Sequence, residues 1–302
     1  MQKTQGVYLL APIYKGTLAM MVGVSILSVD SLLIRLIESS GWTLLFWRGI
    51  ISALVVLVFT MATKPKQTMN ALRKPSKNLL IGSVAFSLST VCFVLSIEHT
   101  QVASTLIIIN VSPLICAALA FFFLKETIEL RTLIAILAAT LGIVFVFYGK
   151  ALPNASFGNM LALVTALMLA IYFVVLRESK SANAPLFLVF GGLCTAVIAI
   201  LAGAEPFSLT SQEWVYVIIL CAVVVPSAFI LISIGPKFLP AAHANLFMLL
   251  EAILGPLFVW MVLGEVPSDN VLIGGSIVML TLVLFTLSSA KSRHSLNKKP
   301  SE

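Results

Sequence analysis

Apolar runs of roughly twenty residues recur along almost the whole chain, each closed by a short polar stretch, and a run of that length suits a helix crossing a bilayer. Windows of about nineteen residues place five spans at 16–37, 42–62, 77–96, 101–124 and 133–148, and five more at 157–176, 185–203, 214–234, 240–262 and 270–288. The polar, proline-containing break between the two sets is KALPNAS at 150–156. Because each set holds an odd number of spans, the two must insert in opposite senses. The pattern predicts an all-α polytopic membrane protein of ten transmembrane helices, built as two inverted five-helix repeats at 16–148 and 157–288, with a tail at 289–302. A short internal echo agrees: FFFLKE at 121–126 and WMVLGE at 260–265 each close the fourth span of their set. Inverted repeats of this kind are characteristic of secondary transporters.

Composition sharpens the picture, since 60% hydrophobic residues, 10% charged residues and a mean hydropathy of +1.08 lie far from the soluble average. A net charge of +7 raises the question of nucleic acid, but the charge sits in short loops and tails, so no basic face and no nucleic-acid partner is expected. With the N-terminus inside, sixteen of the nineteen Lys and Arg residues fall in inner connections or the tail; Lys150 lies outside, and Arg35 and Arg48 lie within spans. That bias puts both termini in the cytoplasm and the protein in the cytoplasmic (inner) membrane. The first span lacks a small-residue cleavage pattern and its apolar run is too long for a secretory h-region, so it reads as a retained signal anchor.

Enzyme signatures are missing: there is no HExxH, GxSxG, P-loop or GxGxxG opening a helix after a strand. The four cysteines stand within spans without CxxC spacing, which gives neither a disulfide framework nor a metal site. No enzyme activity, cofactor or metal is expected, and nothing in the sequence specifies an oligomeric state.

The segment Asn110-Val111-Ser112-Pro113-Leu114, with the Leu124-Lys125-Glu126 ending downstream, resembles the EamA repeat of the drug/metabolite transporter superfamily. Phe46-Trp47-Arg48 on the second span and Leu250-Glu251-Ala252 on the ninth extend the likeness over about 16–288. The resemblance implies ten helices around a central cavity, export or exchange of small metabolites, and no ATPase domain. One departure is Ala252, where the family often has proline after Leu-Glu; Pro256 follows one turn later, displacing the expected kink and freeing the carbonyl of Ala252.

Polar groups inside the spans carry the functional argument, because an ionisable residue at the bilayer centre costs roughly 2.5–3.5 kcal/mol unless it finds a partner or a wet cavity. Asp30 and Arg48 fall at matching depths, about 5 Å outward of centre at 1.5 Å per residue, so they suit a buried ion pair that is either a static lock or a gate. Glu251, near the middle of the ninth span without a cation on its own helix, is the candidate proton-coupling site or ligand for a substrate amine; the alternative is a protonated carboxyl bonded across helices. Asn110 reads as cavity lining or as a packing amide. Tyr172 is a candidate to place its hydroxyl in the cavity. His243 and Asn245 suit an inner gate or a simple interfacial position. Pro113, Pro226 and Pro256 predict helix kinks. Glu126 and Glu265 end spans in short turns and read as caps for the helices that follow, and Arg35 reads as snorkelling to headgroups.

The predicted function is a secondary transporter exporting a small organic metabolite or drug by alternating access, with protons as a further partner. An importer, a facilitator, a lipid-intermediate flippase or a non-transporting membrane scaffold are the alternatives.

Overall fold

The computed structural model describes residues 2–124, 155–179, 184–239 and 247–277, with isolated positions at 134, 137–138, 141–142, 145, 244–245, 279–281 and 284, and side chains from Lys15 onward. The described residues form helices and connecting turns without a strand. In chain order the helices are α1 (Gln2–Leu27), α2 (Asp30–Leu36), α3 (Gly41–Thr63), α4 (Pro65–Arg73), α5 (Lys77–His99), α6 (Val102–Ile109), α7 (Ser112–Leu124), α8 (Ala155–Ser179), α9 (Leu186–Leu201), α10 (Ser211–Ile218), α11 (Val225–Ile232), α12 (Gly235–Phe238) and α13 (Leu249–Leu263). Residues 269–277 are also helical. Among the described residues six stretches are apolar and long enough to cross a membrane: Lys15–Leu36, Gly41–Thr63, Lys77–His99, Val102–Phe123, Ser156–Ser179 and Ser211–Phe238. The predicted seventh span is the shorter α9, while the fifth lies mostly outside the described residues.

Among the described residues three of the predicted spans are interrupted, two of them with a local cause. The first breaks at Ser28 and Val29 between α1 and α2, where the Ser28 hydroxyl donates to the Val24 carbonyl at 2.9 Å. The fourth breaks at Asn110 and Val111: Asn110 Nδ2 donates to the Leu106 carbonyl at 2.6 Å, and Pro113 has no N–H for the Ile109 carbonyl. The ninth breaks at Phe247 and Met248, so α13 runs through Pro256 without stopping. The interruption lies two turns before Pro256, beside Glu251, and Pro256 itself stands inside α13.

Pro226 acts through a wider turn. Residues Ile219–Val224 form a π-helical turn between α10 and α11, with the Val225 N–H reaching back to the Leu220 carbonyl. In that register the next carbonyl, on Cys221, would need the N–H that Pro226 lacks. The Ser52 hydroxyl of α3 supplies the missing donor at 2.8 Å.

Packing brings α5 against α8, α9 against α3 and α5, and α1 against α11. Gly49 and Gly192 make the α3 and α9 crossing possible, since a Cβ on either would strike the other's carbonyl oxygen. Hydroxyls bond across helices in the interior, as in Ser87 with Thr195 at 2.9 Å and Ser96 with Thr105 at 2.8 Å. Large apolar side chains such as Leu54, Val58, Phe122, Phe123 and Val197 are exposed on the outside, the arrangement a lipid-facing surface requires.

Candidate functional site

The helix breaks deliver polar groups to the middle of the bundle. Asp30 stands in the first turn of α2, immediately after the first interruption, and is 1% exposed. Arg48 reaches it from α3 and is 5% exposed. The two side chains meet through a bidentate contact, Nη1 to Oδ1 at 2.5 Å and Nη2 to Oδ2 at 2.6 Å, which is the geometry in which guanidinium and carboxylate match best. Arg48 Nε remains buried with no acceptor among the described residues.

Glu251 occupies the first turn of α13, next to the ninth-span interruption, and is 6% exposed. Together with Asp30 and Arg48 it lines a cavity of about 50 Å³. Hydroxyls of Ser89, Thr90 and Thr165 supply further polar lining, and Leu27, Phe93, Leu106, Ile109, Leu169, Phe229 and Met248 supply the apolar walls. Side chains from α1, α2, α3, α5, α6, α8, α11 and α13 thus converge on one space. At about 30 Å³ per water, it accommodates a water or two and is too small for an organic molecule without movement.

Other expected site residues lie elsewhere. Tyr172 is corrected: its ring does not line the cavity but packs among Phe86, Phe173 and Phe187, at centroid distances of 5.4, 5.5 and 6.1 Å. Asn110 is spent on its own helix break and does not line the cavity; its neighbour Ile109 does. Asn245 is fully buried and donates to the Ser112 hydroxyl at 2.7 Å, joining the interrupted ninth span to the interrupted fourth. Pro113 stands in the first turn of α7 rather than kinking a continuous helix. His243 and Glu126 lie outside the described residues.

Two residues have partners the sequence did not indicate. Arg35 is held by protein partners: its Nε pairs with Glu265 Oε2 at 3.3 Å and its Nη2 donates to the Thr100 carbonyl at 2.7 Å. Glu265 Oε1 in turn accepts from the Val102 N–H at 3.1 Å, so it caps α6, far away in sequence, instead of the helix that follows it. Ser268 N–H donates to Gln101 Oε1 in the same corner. Nearby, Trp47 Nε1 donates to the Pro206 carbonyl at 2.8 Å and the Glu205 N–H donates to the Thr43 hydroxyl at 3.1 Å. The opposite, lysine-rich end carries a basin of about 880 Å³ bordered by Arg73, Lys74, Lys77 and Glu178.

The hydroxyl lining gave no sequence signal, because Ser and Thr are scattered through most spans. The Arg35 and Glu265 pair was unreadable for a different reason: its members are far apart in sequence and each has a plausible local role.

Comparison with known proteins places this architecture. The profile of the EamA-like transporter family matches residues 14–148 and again residues 156–287. An uncharacterized transporter of Archaeoglobus fulgidus is 24% identical over 270 residues, covering 89% of this chain and 95% of the relative. The uncharacterized transporter YetK of Bacillus subtilis is 28% identical over 172 residues, covering 53% of this chain and 52% of the relative. A solved crystal structure at 17% identity superposes with a TM-score of 0.68 over 90% of this chain and 97% of its own, a likeness of fold. Apolar helices in number, interrupted spans around a buried polar centre and a family match along nearly the whole length lead to one conclusion: this chain is a multi-pass membrane protein that belongs to the EamA-like transporter family.

Proposed function

We propose that the protein exports a small organic molecule across the cytoplasmic membrane by alternating access of two inverted five-helix halves, 16–148 and 157–288, with both termini inside. Asp30, Arg48 and Glu251 form the centre of the transport site, and Glu251 couples transport to protons. The observation that carries this reading is the small cavity holding Asp30, Arg48 and Glu251, whose lining comes from both halves and sits at the helix interruptions. Interrupted helices that meet at mid-depth offer free backbone groups and movable joints there.

The packing supports the inverted arrangement. The third span lies against the sixth and the first against the eighth; the seventh lies against the third and the second against the eighth. Each member of those pairs turns into the other when spans are renumbered by five, as an inverted repeat requires. The fourth and ninth spans, which exchange with one another, pack together and are interrupted at comparable places. Charge bias puts the lysine-rich end in the cytoplasm, so the end closed by Arg35, Glu265, Trp47 and Thr43 faces out and the broad basin faces in.

The test is metabolite profiling of medium and cytoplasm from cells overproducing the protein, with Glu251→Gln at matched membrane abundance. A compound enriched outside only with the unmodified chain is the expected result. Its enrichment inside would reverse the direction, and identical profiles for both proteins would remove the export reading.

A further inference from the structure

Formal charge around the cavity decides what class of molecule can enter it, an inference that rests on the transport reading above. Asp30 and Arg48 cancel one another through two hydrogen bonds, so Arg48 has no uncompensated charge to offer an anion. Two groups of the lining are left over. Arg48 Nε–H is a buried donor without an acceptor, and the Glu251 carboxyl has no hydrogen bond or ion pair among the described residues. The charged and titratable groups facing Glu251 are Asp30 on α2 and Arg48 on α3, with the Cys221 thiol behind them on the π-helical turn. The elements α1, α5, α6, α8 and α11 face it with apolar and hydroxyl side chains.

With Glu251 ionised, Asp30, Arg48 and Glu251 sum to one negative charge. One proton or one monovalent cation brings the sum to zero, whereas a zwitterion leaves it at minus one and an anion doubles it. Net charge at mid-membrane is strongly unfavourable, so when proton and substrate occupy the site in turn, as exchange requires, both loaded states are neutral only if the substrate is a monocation. We propose that Glu251 exchanges its proton for the ammonium group of a small organic monocation, while Arg48 Nε–H donates to a neutral oxygen of the same molecule. Amino alcohols are the simplest members of that class. On entry, an ammonium N–H donates to the Glu251 carboxylate as the proton formerly held there leaves to water. Phe93 and Phe229 flank the space and favour a cation with an apolar stem.

The purified protein in lipid nanodiscs, lightly buffered with a pH indicator, is titrated with ethanolamine, 2-amino-1-butanol and leucinol, and with the matching 2-amino acids and 2-hydroxy acids. Saturable binding of amino alcohols with release of about one proton per protein at acidic pH is expected. Apparent affinity should fall about tenfold per pH unit of acidification while the proton competes. Glu251→Gln should release none, and Glu251→Asp, which keeps the carboxylate, should retain release. Tighter binding of the amino or hydroxy acids, amino alcohol binding without proton release, or no amino alcohol binding overturns the assignment. Metabolite profiling separates the two readings: a Glu251-dependent exported anion removes the cation class and leaves transport standing, whereas no Glu251-dependent compound removes the reading of Glu251 as part of the transport site.

Discussion

Asp30 and Arg48 show how a residue pair can be necessary without being the working part of a site. Each is nearly inaccessible, and each satisfies the other's charge through two short bonds. Removing one partner leaves an unpaired buried charge, and a loss of about 3–5 kcal/mol is typical. Asp30→Asn or Arg48→Gln alone should therefore lower the unfolding midpoint sharply in thermal scans, and the double variant should regain a large part of the loss. If the double variant also regains transport, the pair is a lock; if it is stable yet inactive, the pair takes part in transport. Ser52→Ala makes a smaller claim: the Cys221 carbonyl loses its donor, at about 0.6–1 kcal/mol, read as a modest drop in the same scan. At this scale the sequence was informative for ionisable groups, because a charge inside an apolar span is conspicuous. It was uninformative for Tyr172, whose aromatic neighbours come from α5 and α9, and for the cavity hydroxyls, which look like every other Ser and Thr.

Individual helices carry the next set of decisions. Pro113 and Asn110 together end α6, Pro226 is absorbed by a π-helical turn, and Pro256 passes through α13 without a break. Three prolines in apolar helices thus have three outcomes, set by which neighbouring groups can satisfy the freed carbonyls. The six long spans and their approximate limits were legible because apolar length is a local property. Interruptions were only partly legible: the break at Phe247 and Met248 has no proline or glycine to mark it. The α3 and α9 contact gives a test at this scale. Gly192→Val places branched carbons where the Gly49 carbonyl lies, and it should sharply reduce folded protein recovered from membranes by size-exclusion chromatography. Normal recovery of Gly192→Val would mean that the helices can separate without loss.

The whole molecule is tied at one end by Arg35, Glu265, Thr100, Gln101 and Ser268, and beside them by Thr43, Trp47, Glu205 and Pro206. These groups join the first half of the chain to the second, so their separation is what opening at that end demands. Glu265→Ala should raise the labelling rate of a single cysteine at Thr90, in a cysteine-free background, by a membrane-impermeant maleimide added outside, several-fold over the parent. An unchanged rate means the corner is not a gate. Orientation is checked independently: a reporter fused after Glu302 should be active only in its cytoplasmic form.

What the sequence determined by itself is whatever depends on local apolar length and on charge placement: membrane insertion, the approximate limits of most spans, the lysine-rich end and the few ionisable groups that had to be sheltered. The tertiary structure alone decided which of those groups meet. Asp30, Arg48 and Glu251 converge on one cavity, Arg35 finds Glu265, and Ser52 supplies the donor that Pro226 withholds. Each of these pairings joins different helices, and helix rotation, interruption and close approach through residues such as Gly49 and Gly192 set the distances. A linear pattern specifies that a polar group in the membrane must have a partner, whereas only packing specifies which one.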